Sequence, residues 1–418
     1  MNKKITIVII GLSLVIGGLF YIFTHKIKTP IKVGLLHSLT GTMAISETAV
    51  VEATLMAIDE LNQKGGILGR KIEALVTDGR SDWPTFAAEA ERLITQENVS
   101  VVFGCWTSAS RKTVKPVFEK YNHLLFYPLQ YEGLEQSPNI IYTGAAPNQQ
   151  IIPAVKWSLD NLGKRIFLVA SDYVFPRAAN AIIKAQALAL SAEVVGEEYI
   201  LLGSHDVKAV VQKIVATEPD VVLNTINGDT NVAFFREMNN VGMTPEKIPI
   251  LSFSVAEDEL RQLGIKNMVG HYAAWNYFQS VNTEVNQNFV NRFKQTYGPE
   301  RVTDDPMEAA YFGVYLWAQA VEEVGTTEVK KVRHAMKRQS FKAPEGLVYI
   351  DDNNNHTWKT VRIGKIRADG QFDIVWTSEK PIQPIPYPSY RLKSEWDKFL
   401  NELYTTWGNR WANPGSVK

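Results

Sequence analysis

From Ile31 onward, apolar and polar positions follow two alternating rhythms. The β-forming run IKVGLLHSL opens the series. Residues 47–64 then place Val51, Leu55, Ile58 and Leu61 at helical spacing, and Gly65-Gly66 ends that helix. KIEALVTD reads as a strand, residues 83–96 as a helix and VSVVFG as a strand. The alternation restarts at RIFLVASD (165–172). An alanine-rich helix over 177–191 follows, then the strand EVVGEEYI, a helix over 205–217, DVVLNTI, a helix over 230–241 and IPILSFS. Repeated strand–helix units build parallel sheets covered on both faces. Two such series predict an α/β fold of two doubly wound lobes. No Ser/Gly-rich linker separates them, so short hinge strands are expected to join them.

A long helix over 306–324 and a short one over 328–338 come next, followed by the β-rich segments GLVYID, TWKTVRIGKI and FDIVW. Residues 30–148 with about 276–340 are assigned to lobe 1, and 149–275 with about 341–380 to lobe 2. The tail, 381–418, begins PIQPIPYPSY, which is extended and stiff. It ends in EWDKFLNELYTTWGNRW, with Trp396, Phe399, Leu400 and Leu403 on one helical face. That face is expected to pack on a lobe; the alternative is a tail that binds a partner.

At the other end, Lys3 and Lys4 precede residues 5–23, which carry no charge. The length is close to what spans a bilayer. No small-residue cleavage site stands out and no cysteine follows for lipid attachment. Residues 1–28 therefore read as an uncleaved signal anchor, with a cleaved signal peptide as the alternative. Either places the remainder at the periplasmic or extracellular face of the cytoplasmic membrane.

Lys+Arg and Asp+Glu are equal at 44 each, which argues against nucleic acid as a partner. The one cysteine, Cys105, allows no internal disulfide, and the seven histidines show no HxxxH spacing. No metal and no cofactor are expected.

Doubly wound sheets bind ligands beyond the carboxyl ends of their strands. Those edges hold Ser38, Leu39, Thr40 and Gly41; Gly104 to Ser108; Tyr127 to Tyr131; and Asp172 with Tyr173. Asn227, Gly228, Asp229, Thr230, Ser252 and Ser254 mark two more. The turn through Trp106, Thr107 and Ser108 opens a helix, whose first N–H groups and dipole favour an oxygen acceptor. Ser108 serves equally as an ordinary N-cap. With one glycine and a bulky Trp, this turn is not a phosphate loop. Cys105 lacks an identifiable base, and Arg111 and Lys112 follow at least a helical turn later. No GxSxG elbow is present. A lone cysteine at a strand end is a small apolar filler, so no enzyme activity is expected.

The same stretches carry a family resemblance. VGLLHSLTGTMA, DELNQKGGILGRKIE, FGCWTSASRK, FYPLQYEGLEQSPNIIYTG and ASDYVFPR resemble the urea-binding subgroup of the type I periplasmic binding proteins. These are the substrate receptors of urea and short-chain-amide ABC importers. Cytoplasmic amide sensors share the fold. The likeness runs from about residue 31 to WGNRWANP. CWTS…FYPLQYEG is specific to the amide and urea group, whereas GGILGR is common to the wider branched-chain amino-acid receptors. The resemblance implies two lobes that close by a hinge on a small neutral ligand, with ABC permease subunits as partners. It implies ligand contacts from Trp106, Thr107 and Ser108, from Tyr127, Leu129, Gln130 and Tyr131, and from Tyr173, with Asp229 and Ser254 matching more loosely.

The chemistry agrees with that assignment. A planar amide buried without partners costs about 1–3 kcal/mol per polar atom. Ser108 and tyrosine hydroxyls offer donors to its oxygen; Gln130 and Asp229 offer acceptors to its nitrogens. Trp106, Tyr127 and Tyr173 would wall out bulk. The alternatives are an amide or branched-chain amino-acid sensor or receptor of the same fold, and an amide-hydrolysing enzyme.

Overall fold

The computed structural model describes residues 29–416; the proposed signal anchor lies outside them. Lobe 1 begins with β1 (Ile31–His37), α1 (Ala44–Gln63), β2 (Ile72–Asp78) and α2 (Trp83–Thr95). It continues through β3 (Val102–Gly104), α3 (Ser108–Lys120), β4 (Leu125–Tyr127) and β5 (Ile140–Tyr142). All five strands are parallel, in the order β2-β1-β3-β4-β5.

Lobe 2 contains α4 (Ile151–Asn161), β6 (Arg165–Ser171), α5 (Val174–Ala189), β7 (Glu193–Ile200) and α6 (Lys208–Thr217). After these come β8 (Val221–Thr225), α7 (Thr230–Asn240), β9 (Ile250–Ser252), α8 (Glu257–Leu263) and β10 (Tyr272–Trp275). The chain then returns to lobe 1 as α9 (Glu284–Tyr297), α10 (Asp305–Val324) and α11 (Val329–Met336). A small antiparallel sheet follows, formed by β11 (Ser340–Ala343), β12 (Gly346–Ile350) and β13 (Thr357–Trp358). Finally β14 (Arg362–Ile366) and β15 (Phe372–Thr377) extend the lobe-2 sheet antiparallel, giving β15-β14-β10-β9-β8-β6-β7. The last helix is α12 (Lys393–Thr406).

The expected α/β architecture of two lobes is present, with three departures. The sequence pattern places residues 341–358 with lobe 2, but Ala343, Val348 and Ile350 share a core with Phe103 and Trp317 of lobe 1. The chain re-enters lobe 2 only after Lys359, which is fully buried and donates to Thr143 O at 3.0 Å while pairing with Glu345 at 3.0 Å. That crossing splits TWKTVRIGKI into two strands. The tail helix is also shorter than its amphipathic pattern. Gly408 and Asn409 take left-handed φ values of +65° and +62°, which end a helix and turn residues 410–416 away. Helix α5 begins at Val174 because Tyr173 is extended at the N-cap, three residues before the expected start.

Each lobe turns the carboxyl ends of its parallel strands toward the other. Gly104 is required where β3 meets β1, because a Cβ there would overlap the Leu36 carbonyl oxygen. This close approach aims the turn after β3 at the cleft.

Candidate functional site

The turn after β3 is tightly specified. Cys105 N–H donates to Leu36 O at 2.8 Å, and its φ of +67° costs a non-glycine residue about 1–3 kcal/mol. Tyr127 OH donates to Trp106 O at 2.6 Å and fixes the next residue. Thr107, not Ser108, is the N-cap: its Oγ1 accepts from Ser110 N at 3.0 Å. Arg111 N–H takes Thr107 O at 3.0 Å. Ser108 and Ala109 therefore present N–H groups that the helix itself cannot satisfy.

Capping leaves the Ser108 side chain free for another task. Its hydroxyl donates to the Glu132 carboxylate and accepts from an Arg111 guanidinium nitrogen at 3.0 Å. Arg111 also reaches Glu132 at 3.2 Å and Glu135 at 2.9 Å, and Lys112 holds Glu135 at 3.0 Å. Two cations and two carboxylates thus neutralise one another out of water. Burial opposes the charge on Glu135, but Arg111 and Lys112 outweigh it and hold the carboxyl well below its usual range. Arg111 moves the other way: against the cost of burial, Glu135 and Glu132 keep it firmly protonated. Its guanidinium also lies over the rings of Tyr127 and Tyr131, 4.7 and 4.3 Å from their centroids.

Of the aromatic candidates, Trp106, Tyr127 and Tyr173 gather at the cleft. Tyr173 comes from lobe 2, close enough to feel Tyr127, Glu132 and Arg111 of lobe 1. Burial pushes the Tyr127 and Tyr173 hydroxyls far up, so both are neutral. Neither the Tyr173 hydroxyl nor the Trp106 indole N–H has a hydrogen-bond partner among the described residues. Tyr131 turns inward instead. It stacks on Tyr142, which stacks on His356, and its hydroxyl bonds His356 Nε2. Burial lowers His356 to about 4, leaving a neutral ring whose Nδ1–H donates to Asn354 O at 2.7 Å and whose Nε2 accepts. Leu129 is core.

Three candidates join the lobes or brace one of them. Gln130 Nε2 donates to Phe253 O at 2.8 Å, from lobe 1 to lobe 2; its Oε1 is buried without a partner. Asp229 accepts from Thr42 Oγ1 at 2.6 Å, and Gly228, at φ +67°, lets that loop lie against Thr42 and Met43. Ser254 donates within lobe 2 to Ile226 O. Gln262 Nε2 adds a further crossing to Ile45 O at 2.7 Å.

Arg111, Glu132, Glu135 and Glu47 escaped the sequence reading. A readable signal was the pairing of adjacent cations in FGCWTSASRK with two acids three residues apart in QYEGLEQ. Arg111 does lie more than a helical turn from Cys105, and it sits one turn after Ser108, onto which it donates. Glu47 takes the Ser38 N–H at 2.8 Å and His37 Nδ1 at 3.1 Å, with its second oxygen unpartnered. Burial, then the nearby Glu47 carboxylate, push the Cys105 thiol far up. It stays protonated at neutral pH and is a poor nucleophile.

A family model described as a periplasmic binding protein domain matches residues 31–393. The Leu/Ile/Val-binding protein homolog 7 of Brucella suis biovar 1 is 24% identical over 387 residues, covering 86% of this chain and 94% of that protein. Homolog 6 of Brucella melitensis biotype 1 is 23% identical over 289 residues, 68% of this chain and 74% of that protein. A limonene hydroxylase of Geobacillus stearothermophilus is 37% identical over 124 residues, 30% of this chain; the chain spans only 23% of that protein's length. Among solved structures, a solute-binding protein of R. palustris in complex with 4-hydroxybenzoate aligns with a TM-score of 0.77 at 21% identity, covering 85% of this chain and 98% of that one. A branched-chain amino acid transporter substrate-binding protein of Streptococcus pneumoniae, in complex with isoleucine, aligns at 0.73 and 20% identity, covering 85% and 100%. At these identities the structural likeness speaks for the fold.

Proposed function

The chain belongs to the periplasmic binding protein domain family, and from that premise we propose that it is an extracytoplasmic receptor for a small neutral amide or urea. Closure of the lobes on the ligand would present it to an ABC permease, and residues 5–23 would hold the receptor at the membrane. The observation that carries this reading is charge pairing at the cleft. Arg111 and Lys112 are committed to Glu132 and Glu135, and Asp172 is committed to Arg177 at 2.7 Å. A carboxylate ligand asks for a cation with capacity to spare, which these residues do not offer. Beside Glu47 Oε1, which can only accept, the unused groups are neutral: the Ser108 and Ala109 N–H, the Trp106 indole N–H, the Tyr173 hydroxyl and the Gln130 amide oxygen. Such a set satisfies one carbonyl oxygen and amide N–H donors together.

A second reading, a receptor for carboxylates or branched-chain amino acids, is favoured by what the similar structures bind. Calorimetric titration of the intact chain with urea, acetamide, leucine and 4-hydroxybenzoate separates the two. Saturable binding of urea or acetamide alone supports the proposal; binding of leucine or 4-hydroxybenzoate alone replaces it. Ammonia released from acetamide during the titration would point to hydrolysis instead.

A further inference from the structure

We infer that the C-terminal segment 409–416 is a strap that sets the position of Tyr173 and ties the two lobes together when the cleft is shut. The inference rests on the cleft being the ligand site. Residues 411–413 form an antiparallel bridge centred on Tyr173 and Ala412. Val174 N–H donates to Trp411 O at 3.0 Å and Asn413 N–H to Asp172 O at 3.1 Å. The peptide groups on both sides of Tyr173 are thus held by the tail. Asn413 adds a side-chain bond, Nδ2 to Asp172 Oδ2 at 2.6 Å, and locks its own loop by accepting Gly415 N–H at 3.0 Å. Tyr173 has no side-chain capping bond of its own, so this bridge supplies the backbone restraint at its position.

The strap also touches the opposite lobe. The Lys112 ammonium lies over the Trp411 ring, 5.1 Å from its centroid, while holding Glu135 in the network that binds Ser108. Trp411 therefore bonds lobe 2 through its carbonyl and meets lobe 1 through its ring. The two attachments are unequal. Toward lobe 2 there are three hydrogen bonds, and α12, which leads into the strap, packs on α5. Toward lobe 1 a cavity of about 290 Å³ separates Trp83, Pro84 and Pro116 from Tyr404, Trp411 and Pro414. Opening the cleft thus breaks the Trp411–Lys112 contact and leaves the bridge to Tyr173 whole. The strap travels with lobe 2, and its lobe-1 contact belongs to the closed form.

Stopped-flow binding of acetamide to the intact chain, to Asn413→Ala, to Trp411→Ala and to Trp411→Phe tests the strap. Trp411→Ala is expected to raise the dissociation rate about ten-fold with little change in association rate, because the lost contact exists only when closed. Trp411→Phe keeps a ring over Lys112 and restores most of the slow release. Asn413→Ala should likewise quicken release. A merely structural tail would instead lower thermal stability and leave release from the folded fraction unchanged, which would overturn the inference. Hydrogen exchange of the Val174 amide in the ligand-free protein gives a readout that stands even if acetamide does not bind. Asn413→Ala should speed exchange there about ten-fold and not in β8; equal exchange at Val174 in both proteins overturns the strap independently of the ligand's identity.

Discussion

Thr42 Oγ1 donates to Asp229 Oδ1 at 2.6 Å, and this bond joins the β1–α1 loop of lobe 1 to the start of α7 in lobe 2. Asp229 was expected to touch ligand; here it binds the opposite lobe. A latch of this kind shifts the open–closed equilibrium without contacting ligand. Thr42→Val removes the donor and keeps the shape. A hydrogen bond to a charged, partly exposed group contributes about 1–1.5 kcal/mol, so affinity should fall about five- to ten-fold, mainly through faster release. Calorimetry and stopped-flow mixing check this; unchanged release rates would remove the latch.

Arg111→Met leaves Glu132 and Glu135 buried with only Lys112 beside them. Breaking a buried ion-pair network from one side costs about 3–5 kcal/mol, to be read as a lower midpoint of unfolding in guanidinium chloride. Adding Glu132→Gln and Glu135→Gln to that variant should recover part of the loss, because the uncompensated charges go with them.

Tyr173→Phe deletes a hydroxyl that has no partner among the described residues. Its removal should leave the unfolding midpoint nearly unchanged and weaken ligand binding about ten-fold, the size of one lost hydrogen bond to a buried ligand. Equal affinity for both proteins would place the ligand away from Tyr173.

Acidity should stabilise the protein around neutral pH. Burial, reinforced by the Asp305 and Glu259 carboxylates, pushes Glu257 up to about 8; burial and Asp258 raise Glu259 to about 7. Asp304 and Glu308, on α10 and its cap, move up as well. The facing cations are Arg261 on Asp258, Arg301 near Asp258, and Lys359 on Glu345. The folded form keeps protons that the unfolded chain releases above about pH 4.5. The contribution of these carboxyls is therefore full below that pH and is lost as pH rises through 7 to 8. Thermal melts at pH 7 and pH 8.5, both above the range where the buried histidines His271 and His356 oppose the trend, should differ, with the higher melting temperature at pH 7, and Glu257→Gln should narrow the gap. An equal or rising melting temperature at pH 8.5 contradicts this.

The two βα series were legible because buried parallel strands and amphipathic helices leave strong periods. The crossing at Lys359 was not, because a buried lysine inside TWKTVRIGKI reads as the polar face of one strand. At the candidate site, strand-end geometry picked out Trp106, Tyr127 and Tyr173, which gather at the cleft. It did not identify the bracing roles: Thr107 caps, Tyr127 holds Trp106, Tyr131 stacks inward, and Gln130 and Asp229 bridge the lobes. Those roles depend on contacts more than 100 residues apart for Gln130 with Phe253 and Thr42 with Asp229, which local pattern does not encode. The tail helix was visible as an apolar stripe, but the Gly408–Asn409 turn that sends Trp411 back to Tyr173 and Lys112 was not.

The most direct measurement is a crystal structure of the intact chain grown with acetamide. The account predicts acetamide between Trp106, Tyr127 and Tyr173, its oxygen on the Ser108 and Ala109 N–H groups, and Arg111 still paired with Glu132. Acetamide outside the cleft, or a co-purified carboxylate seated on Arg111, would contradict it.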